Sequence, residues 1–189
     1  MNVRRGLVKL AVVVCAAALL CGAAGAAELY TYPDDNRFWW FVGTEPAFEI
    51  LVPSNTGGAY PLYFHRTQFG EEVLEIQMGQ DGPVMAVGIL KGSSSQISAI
   101  RDNLRASRDH LFTNVRVVDD REIETSMGLR AYFYSQLARA ADGKSAMFRA
   151  VFFSRGDDLV YLTYFLYESD YSGFNRDAWI RAVNTFRWM

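Results

Sequence analysis

The chain has 189 residues, of which 50% are hydrophobic and 21% are charged, and its formal net charge is −2 at pH 7. This size and composition suffice for one self-sufficient domain with a sizeable core. The slightly acidic balance argues against binding to nucleic acid or to an anionic membrane surface.

Residues 1–26 have the three parts of a secretory signal peptide. Basic residues precede an almost wholly apolar stretch over 7–20, and Ala24-Gly25-Ala26 offers the small-x-small pattern that a signal peptidase reads. The apolar stretch falls short of the roughly 20 residues that span a bilayer as a helix. We therefore expect cleavage near Ala26, a periplasmic or secreted protein, and no transmembrane segment in the mature chain.

Both cysteines of the chain lie in this signal segment. Cys21 would be the site of a lipid anchor, but a lipobox needs a small residue before its cysteine and the chain has Leu20 there, so we expect no anchor. Cleavage removes Cys15 as well. The mature chain then contains no disulfide, no thiolate nucleophile and no cysteine metal site, and its stability must come from core burial.

The first half of the mature chain is dominated by short apolar runs and turn signals, which predict strands and hairpins. Glu72–Met78 and Val84–Leu90 are two such runs around a Gly-Pro turn, and together they predict a hairpin. The aromatic-rich stretches Phe38–Val42 and Tyr60–Phe69 give no firm assignment. The other segments are predicted to be a turn at Pro33–Asp35, a strand over Ala47–Val52 that stops at Pro53, and an open loop over Ser54–Ala59.

Two helices are predicted, one in the middle of the chain and one at its end. In Ser95–Phe112 the apolar residues recur near helical spacing with arginines between them, which is typical of an amphipathic helix lying on a sheet. Aromatic and aliphatic residues over 174–186 mark the closing helix, and Ser169 or Asp170 is its predicted cap.

Between the helices lies a run of antiparallel strands. A short, bent strand region over Val115–Val118 and Arg121–Thr125 and a longer strand over Met127–Ala138 precede a hairpin. In this hairpin Arg155–Asp158 joins Ser145–Ser154 to Leu159–Tyr167. The last of these strands is apolar on both faces. Because successive side chains alternate between faces, both sides of this sheet must be covered.

This order of elements predicts one α+β domain over 27–189, an α/β/α sandwich with a mostly antiparallel sheet. It resembles the PsbP-like fold family, which also includes a Ran-binding nuclear-import factor and bacterial periplasmic DcrB proteins. The resemblance rests on the strand that ends at Pro53, the mid-chain helix, the meander over 127–167 and the ending with Thr185-Phe186. It implies a protein that binds partner proteins or serves as an accessory subunit, without shared catalytic residues.

The candidate binding residues are Trp39, Trp40, Tyr60, Tyr63 and His65. If the stretch around the two tryptophans is extended, their indoles face opposite ways, so one can be buried while the other is available to a partner. The alternative reading is a closing layer over the sheet. Our leading hypothesis is a periplasmic non-enzymatic binding or accessory protein whose partner is another envelope protein. The alternative is a carrier or sensor of small apolar ligands, with a pocket near Trp39, Tyr63 and His65.

An exported hydrolase is the third hypothesis. His65 and His110 lie in no recognisable triad context, and the sequence has no G-x-S-x-G elbow. His110 instead suits the carbonyl end of the mid-chain helix. The densest carboxylate cluster, over 119–124, lacks the spacing of a calcium loop. We therefore expect no catalytic residue, no metal site and no cofactor.

Overall fold

The structure is a computed structural model that describes residues 27–54, 62–66, 72–78, 83–90, 96–109 and 112–189. The predicted signal peptide with Cys21, the loop over 55–59, Tyr60 and His110 lie outside the described residues, as does the side chain of His65.

Within the described ranges the chain forms eleven strands, two α-helices and a short 3-10 helix. The helices are α1 (Ile97–Asp109) and α2 (Gly173–Thr185), and the 3-10 helix is Glu168–Asp170. The strands are β1 (Ala27–Thr31), β2 (Phe38–Thr44), β3 (Ala47–Pro53), β4 (Leu62–Arg66), β5 (Glu72–Gln77), β6 (Val84–Leu90), β7 (Thr113–Glu124), β8 (Arg130–Arg139), β9 (Ser145–Arg155), β10 (Asp158–Tyr167) and β11 (Arg187–Trp188).

Seven of these strands form a large sheet in the order β4-β5-β6-β10-β9-β8-β7. All of its neighbouring strands are antiparallel, and the two predicted hairpins are confirmed as β5–β6 and β9–β10. Gly156, with φ of +59°, supplies the left-handed turn residue between β9 and β10. The pairing of β10 with β6 brings the two halves of the sequence into one sheet.

A second sheet has four strands in the order β1-β2-β3-β11. Residues that pair in register share a face, so Phe41 and Ile50 lie on one side of this sheet while Trp40 and Leu51 lie on the other. The carboxyl-terminal strand β11 joins at the edge, with Arg187 opposite Glu49. The sheet therefore unites the beginning and the end of the described chain.

The main core lies between the small sheet, α2 and the inner face of the large sheet. Trp179 of α2 stacks on Tyr164 of β10 with ring centroids 5.7 Å apart, and Phe186, the residue after α2, stacks on Phe153 of β9 at 3.8 Å. Phe48 of the small sheet also stacks on Phe186, at 5.8 Å. This layer of rings joins both sheets and the helix in one apolar interior.

The outer face of the large sheet carries α1. Ile100 packs there with Tyr134, Phe152 and Tyr161, and Phe112 covers Phe165 at a ring distance of 5.7 Å. The expectation that β10 is covered on both faces is confirmed, since Leu159 and Tyr161 are buried on one face and Val160, Leu162, Tyr164 and Leu166 are buried on the other. The structure is an α+β sandwich with a helix in mid-chain and another near the end, as the sequence predicts.

Several boundaries differ from the predicted ones. The predicted cap of α2 is wrong, because Ser169 and Asp170 lie in the 3-10 helix and Ser172, with extended φ and ψ, precedes the first turn of α2. The predicted long strand begins at Arg130 rather than Met127, since residues 126–128 turn between β7 and β8. The region predicted as a bent strand is one strand, β7, with two irregularities in its register.

Candidate interaction surface

The two candidate tryptophans lie side by side on β2 and point to opposite faces of the small sheet. Trp39 pairs in register with Val52, and Trp40 pairs with Leu51. Both side chains are partly buried and pack against the main core. The small sheet is therefore a closing layer over the large one, and Trp40 lies on the side that faces away from it.

On that side three aromatic residues form a surface that we call the aromatic face: Tyr30, Tyr32 and Trp40. Tyr30 of β1 is directly opposite Trp40 in the register and is 51% exposed. The ring of Tyr32 meets the Trp40 indole edge-on, with centroids 5.9 Å apart. The Arg187 guanidinium lies 6.0 Å from the centroid of the same indole, so the π-face of Trp40 already holds one cation.

Two carboxylates border the aromatic face. Tyr30 donates its hydroxyl hydrogen to Glu28, and this bond raises the pKa of Tyr30 above its ordinary value. A hydrogen bond with Asp34 likewise raises the pKa of Tyr32. Each phenol therefore stays protonated at neutral pH and acts as a hydrogen-bond donor.

The other charges near the aromatic face are paired with one another. Arg187 forms an ion pair with Glu49, and Asp35 is bound by Arg37 at 2.7 Å and by Arg181 at 3.7 Å. Neither Glu28 nor Asp34 has an arginine or lysine partner in the described part of the chain. The unneutralised charge at the aromatic face is therefore negative.

An apolar seam runs along the opposite side of β1, where the two sheets come together at one edge. Leu29 of β1 pairs in register with buried Phe41, whose ring centroid is 6.5 Å from that of Phe64 on β4. Leu29 is 38% exposed and Phe64 is 49% exposed. We call Leu29, Phe41 and Phe64 the apolar seam.

Tyr63, another candidate, lies on the opposite face of β4 from Phe64. It pairs with Glu75 and is 38% exposed, whereas Phe64 pairs with buried Leu74. Burial raises the pKa of the Glu75 carboxyl. His65 pairs with Val73 through its backbone. The described part of β4 therefore contacts β2 through Phe64, and Tyr63 lies on the other face of the strand.

A small cavity of about 10 Å³ lies on the outer face of the large sheet. Its lining consists of Phe112, Gln136, Ala138, Ala146, Met147, Phe148 and Phe165. This volume is about that of one water molecule. None of the predicted binding residues contributes to the lining, so the cavity is separate from the region around Trp39 and Tyr63 that the carrier hypothesis needs.

The acidic cluster on β7 is held by local contacts. Asp119 accepts a hydrogen bond from Arg121 at 2.8 Å, and Asp120 accepts one from Tyr132 and lies 3.5 Å from Arg101 of α1. These contacts tie α1 to the edge of the sheet. Among the described residues, no three His, Cys, Asp or Glu side chains come together in a group that could hold a metal ion.

Sequence reasoning missed Leu29, Tyr30 and Tyr32, whereas Phe64 was expected with Tyr60 and Tyr63 as an extension of the aromatic patch around His65. A weak signal was present, because Glu28-Leu29-Tyr30-Thr31-Tyr32 contains alternating aromatic residues in a stretch without glycine or proline. The residues of β1 beyond Ala27 are exposed, so the strand lacks the apolar face by which a strand is usually recognised.

Neither described helix has the length and apolarity that crossing a bilayer would require. No family model matches the sequence, and no curated protein matches it. Solved structures do match. CyanoP, the cyanobacterial PsbP of Synechocystis sp. PCC 6803, has a TM-score of 0.53 at 10% identity, and the match covers 90% of this chain and 98% of that chain. The chain therefore has a PsbP-like fold.

Two further structures match at lower TM-scores. The Ran-binding protein Mog1p of Saccharomyces cerevisiae has a TM-score of 0.43 at 9% identity, over 87% of this chain and 96% of its own. The protein PA94 of Pseudomonas aeruginosa, whose function is unknown, has a TM-score of 0.42 at 12% identity, over 85% and 96%.

Proposed function

We propose that this chain is an exported, non-enzymatic binding or accessory protein that acts on a partner protein through β1 and its surroundings. The observation that carries the proposal is the concentration of exposed large apolar side chains at this edge of the sandwich. Leu29, Tyr30 and Phe64 are between 38% and 51% exposed on two edge strands. Aromatic residues that are partly exposed and held by packing are typical of the centres of protein interfaces.

The supports for these side chains are rigid, which suits recognition of a partner. Trp40 is packed between Tyr32 and Arg187, and Phe41 is 2% exposed beneath Leu29 and Phe64. Side chains already ordered in the unbound protein lose little conformational entropy on binding. The resemblance to PsbP-like proteins implies the same class of function, since such proteins serve mostly as binding or accessory subunits.

Export is part of the proposal and has its own measurement. The sequence of residues 1–26 supports a cleaved signal peptide. We expect the protein purified from the cell envelope to begin near Ala27 by amino-terminal sequencing and to lack both cysteines. Recovery of the uncleaved chain from the cytoplasm would contradict export while leaving the interaction surface to be tested separately.

Site-specific photo-crosslinking tests the interaction surface. We expect a photo-reactive residue at Tyr30 or at Phe64 to give the same discrete adduct in intact cells, with a partner that mass spectrometry identifies. The matched control is Val118, which is 51% exposed on β7 at the far edge of the large sheet. Adducts of equal yield at all three positions, or at none of them, would contradict a binding surface at this edge.

A further inference from the structure

We propose that the outer edge of β1 docks an extended segment of the partner protein in which basic and apolar side chains alternate. The inference rests on the proposed function, since it names the partner chemistry that the same surface recognises. Three observations carry it: the position of β1 in its sheet, the alternation of its side chains, and the charge around it.

Among the described residues β1 is the outermost strand of the small sheet and pairs with β2 alone. Its five residues pair with β2 without a register shift, and they include no proline, lysine or glycine. An edge strand of this kind presents a row of backbone N–H and C=O groups to which another strand can add.

Of the other edges in the described part of the chain, β4 is regular but has no acidic residue, and β7 and β11 are less suited to strand addition. β7 has two register irregularities, a left-handed Asn114 with φ of +53°, and a run of charged residues over 119–122. Bulges and charges of this kind protect an edge against pairing. β11 has only two residues. β1 thus has a regular backbone edge, and an incoming strand could contact side chains on both of its faces.

The side chains of β1 divide between two surfaces of different chemistry. Glu28 and Tyr30 lie on the side of the aromatic face, while Leu29 lies on the side of the apolar seam with Phe41 and Phe64. A strand added beside β1 places its own side chains alternately on the same two sides. Its residues would therefore meet an acidic, aromatic surface and an apolar one in turn.

The charge on the aromatic side selects basic residues. Glu28 and Asp34 have no arginine or lysine partner in the described part of the chain, and Trp40 already carries the Arg187 guanidinium at 6.0 Å. A lysine or arginine of the incoming strand could form an ion pair with a carboxylate and also pack on an aromatic ring. A second copy of this chain fits less well, because antiparallel pairing of two β1 strands would bring both Glu28 carboxylates onto one face.

The test uses the protein purified as the cell produces it, with two synthetic hexapeptides as probes. One peptide is Lys-Val-Arg-Val-Lys-Val and the other is Glu-Val-Asp-Val-Glu-Val, both capped at their ends. We expect the basic peptide to bind at least about tenfold more tightly by calorimetry at low salt, because the charges at this edge are complementary to it alone. Hydrogen exchange should show new protection of amides in β1 when the basic peptide is added.

Charge reversal supplies the matched variants. We expect Glu28→Lys to weaken binding of the basic peptide by about fivefold or more, because it replaces an exposed ion pair with a repulsive contact. Glu124→Lys makes the same change at an exposed position on β7 and should leave the affinity unchanged. N-methylation of alternate residues of the basic peptide should abolish binding, since it removes the backbone donors.

Each other result overturns the inference in a recognisable way. Equal affinity for the two peptides would refute the basic partner, and binding without protection of β1 would refute strand addition. A dimer in sedimentation with β1 protected in the absence of peptide would identify a second copy as the occupant. If a crosslinked partner is found through Tyr30 but these peptide results fail, the proposed function stands and this inference falls.

Discussion

Gln136 of β8 is 1% exposed, and neither the oxygen nor the nitrogen of its amide has a hydrogen-bond partner in the described structure. It lies among Phe112, Phe148 and Phe165 at the small cavity on the outer face of the large sheet. A buried amide that loses its hydrogen bonds to water without replacing them destabilises the folded state.

We therefore expect Gln136→Met, which nearly conserves volume, to raise the free energy of unfolding by about 1–3 kcal/mol. Denaturant unfolding followed by circular dichroism measures the change. Gln136→Glu serves as the opposite control and should destabilise the protein, because it buries a charge in the same apolar surroundings. A loss of stability in Gln136→Met would show that the amide is satisfied, for example by a bound water.

Asp35 provides a pH-dependent contribution at the residue scale. The Arg37 side chain donates two hydrogen bonds to it, at 2.9 and 2.7 Å, and these lower the pKa of the Asp35 carboxyl to about 2. Burial opposes the shift, while the backbone N–H of Arg37 and the charges of Arg37 and Arg181 add to it. Since the folded pKa lies below the unfolded value of 3.8, the resulting stabilisation is present above about pH 4 and is lost as the pH falls toward 2.

We expect Asp35→Asn to be less stable than the parent chain at pH 7, with a difference that shrinks as the pH falls from 4 to 2. Denaturation midpoints measured across this range test the sign. Arg37→Gln should remove the same pH-dependent part, and the double variant should lose no more of it than either single variant does. A difference that stays constant down to pH 2 would exclude the ion pair as its source.

At this scale the sequence predicted some residue roles and not others. Alternation along an extended strand is enough to place Trp39 and Trp40 on opposite faces. The capping residue of α2 could not be read in the same way, because Ser169, Asp170 and Ser172 all have suitable side chains. Because residues 168–170 form a 3-10 helix, only Ser172 directly precedes α2. The 3-10 helix depends on packing, which a local sequence pattern does not show.

Gly88 shows how β6 and β10 can lie side by side in the large sheet. It pairs in register with Tyr161, and a Cβ atom added at Gly88 would lie 2.1 Å from Cζ of the Tyr161 ring. The ring therefore occupies the space that a side chain at this position would take. A glycine in a strand interior often marks such a close approach.

We expect Gly88→Ala to lower the free energy of unfolding by about 1–3 kcal/mol, the usual cost of overpacking. In a Tyr161→Val background the same substitution should cost less, because the ring is gone. A double-mutant cycle would then give a coupling of about 1 kcal/mol or more. Strictly additive effects would mean that the cost comes from the backbone and not from the ring.

The strands and helices differ in how clearly the sequence predicts them. The hairpins β5–β6 and β9–β10 combine turn residues with β-branched and aromatic runs, and α1 has a clear apolar periodicity. β1 has exposed side chains from Glu28 onward, and β4 lies in an aromatic stretch without a clear period. Both are edge strands whose existence depends on the neighbouring strand, so local pattern reasoning does not find them.

At the scale of the whole molecule, the arrangement as two sheets was the least predictable feature. The sequence predicts an antiparallel sheet with a helix on each side, and the described structure adds a separate small sheet that closes the side where α2 lies. The pairing of β11 with β3 joins segments more than a hundred residues apart. Such long-range pairing has no local signature, although Thr185-Phe186 at the end of α2 indicated the kind of fold.

The shared core predicts that the small sheet and the large sheet unfold together. Phe186, the residue after α2, contacts Phe48 in the small sheet and Phe153 in the large one, so loss of either sheet exposes the apolar surface of the other. The four tryptophans are distributed between the small sheet and the part of the core that contacts the large sheet. Trp39, Trp40 and Trp188 belong to the small sheet, while Trp179 of α2 stacks on the large one.

Two variants turn this division into a test of cooperativity. In Trp179→Phe only the tryptophans of the small sheet fluoresce, and in the triple variant with phenylalanine at positions 39, 40 and 188 only Trp179 does. We expect the fluorescence midpoint of each variant in urea to coincide with its own far-ultraviolet circular dichroism midpoint, as a two-state transition requires. Comparison within each variant removes any change in stability caused by the substitutions. If the fluorescence of the small sheet changes at lower urea than the circular dichroism, β1 to β3 form a separately unfolding layer and their surface is not held rigid by the core.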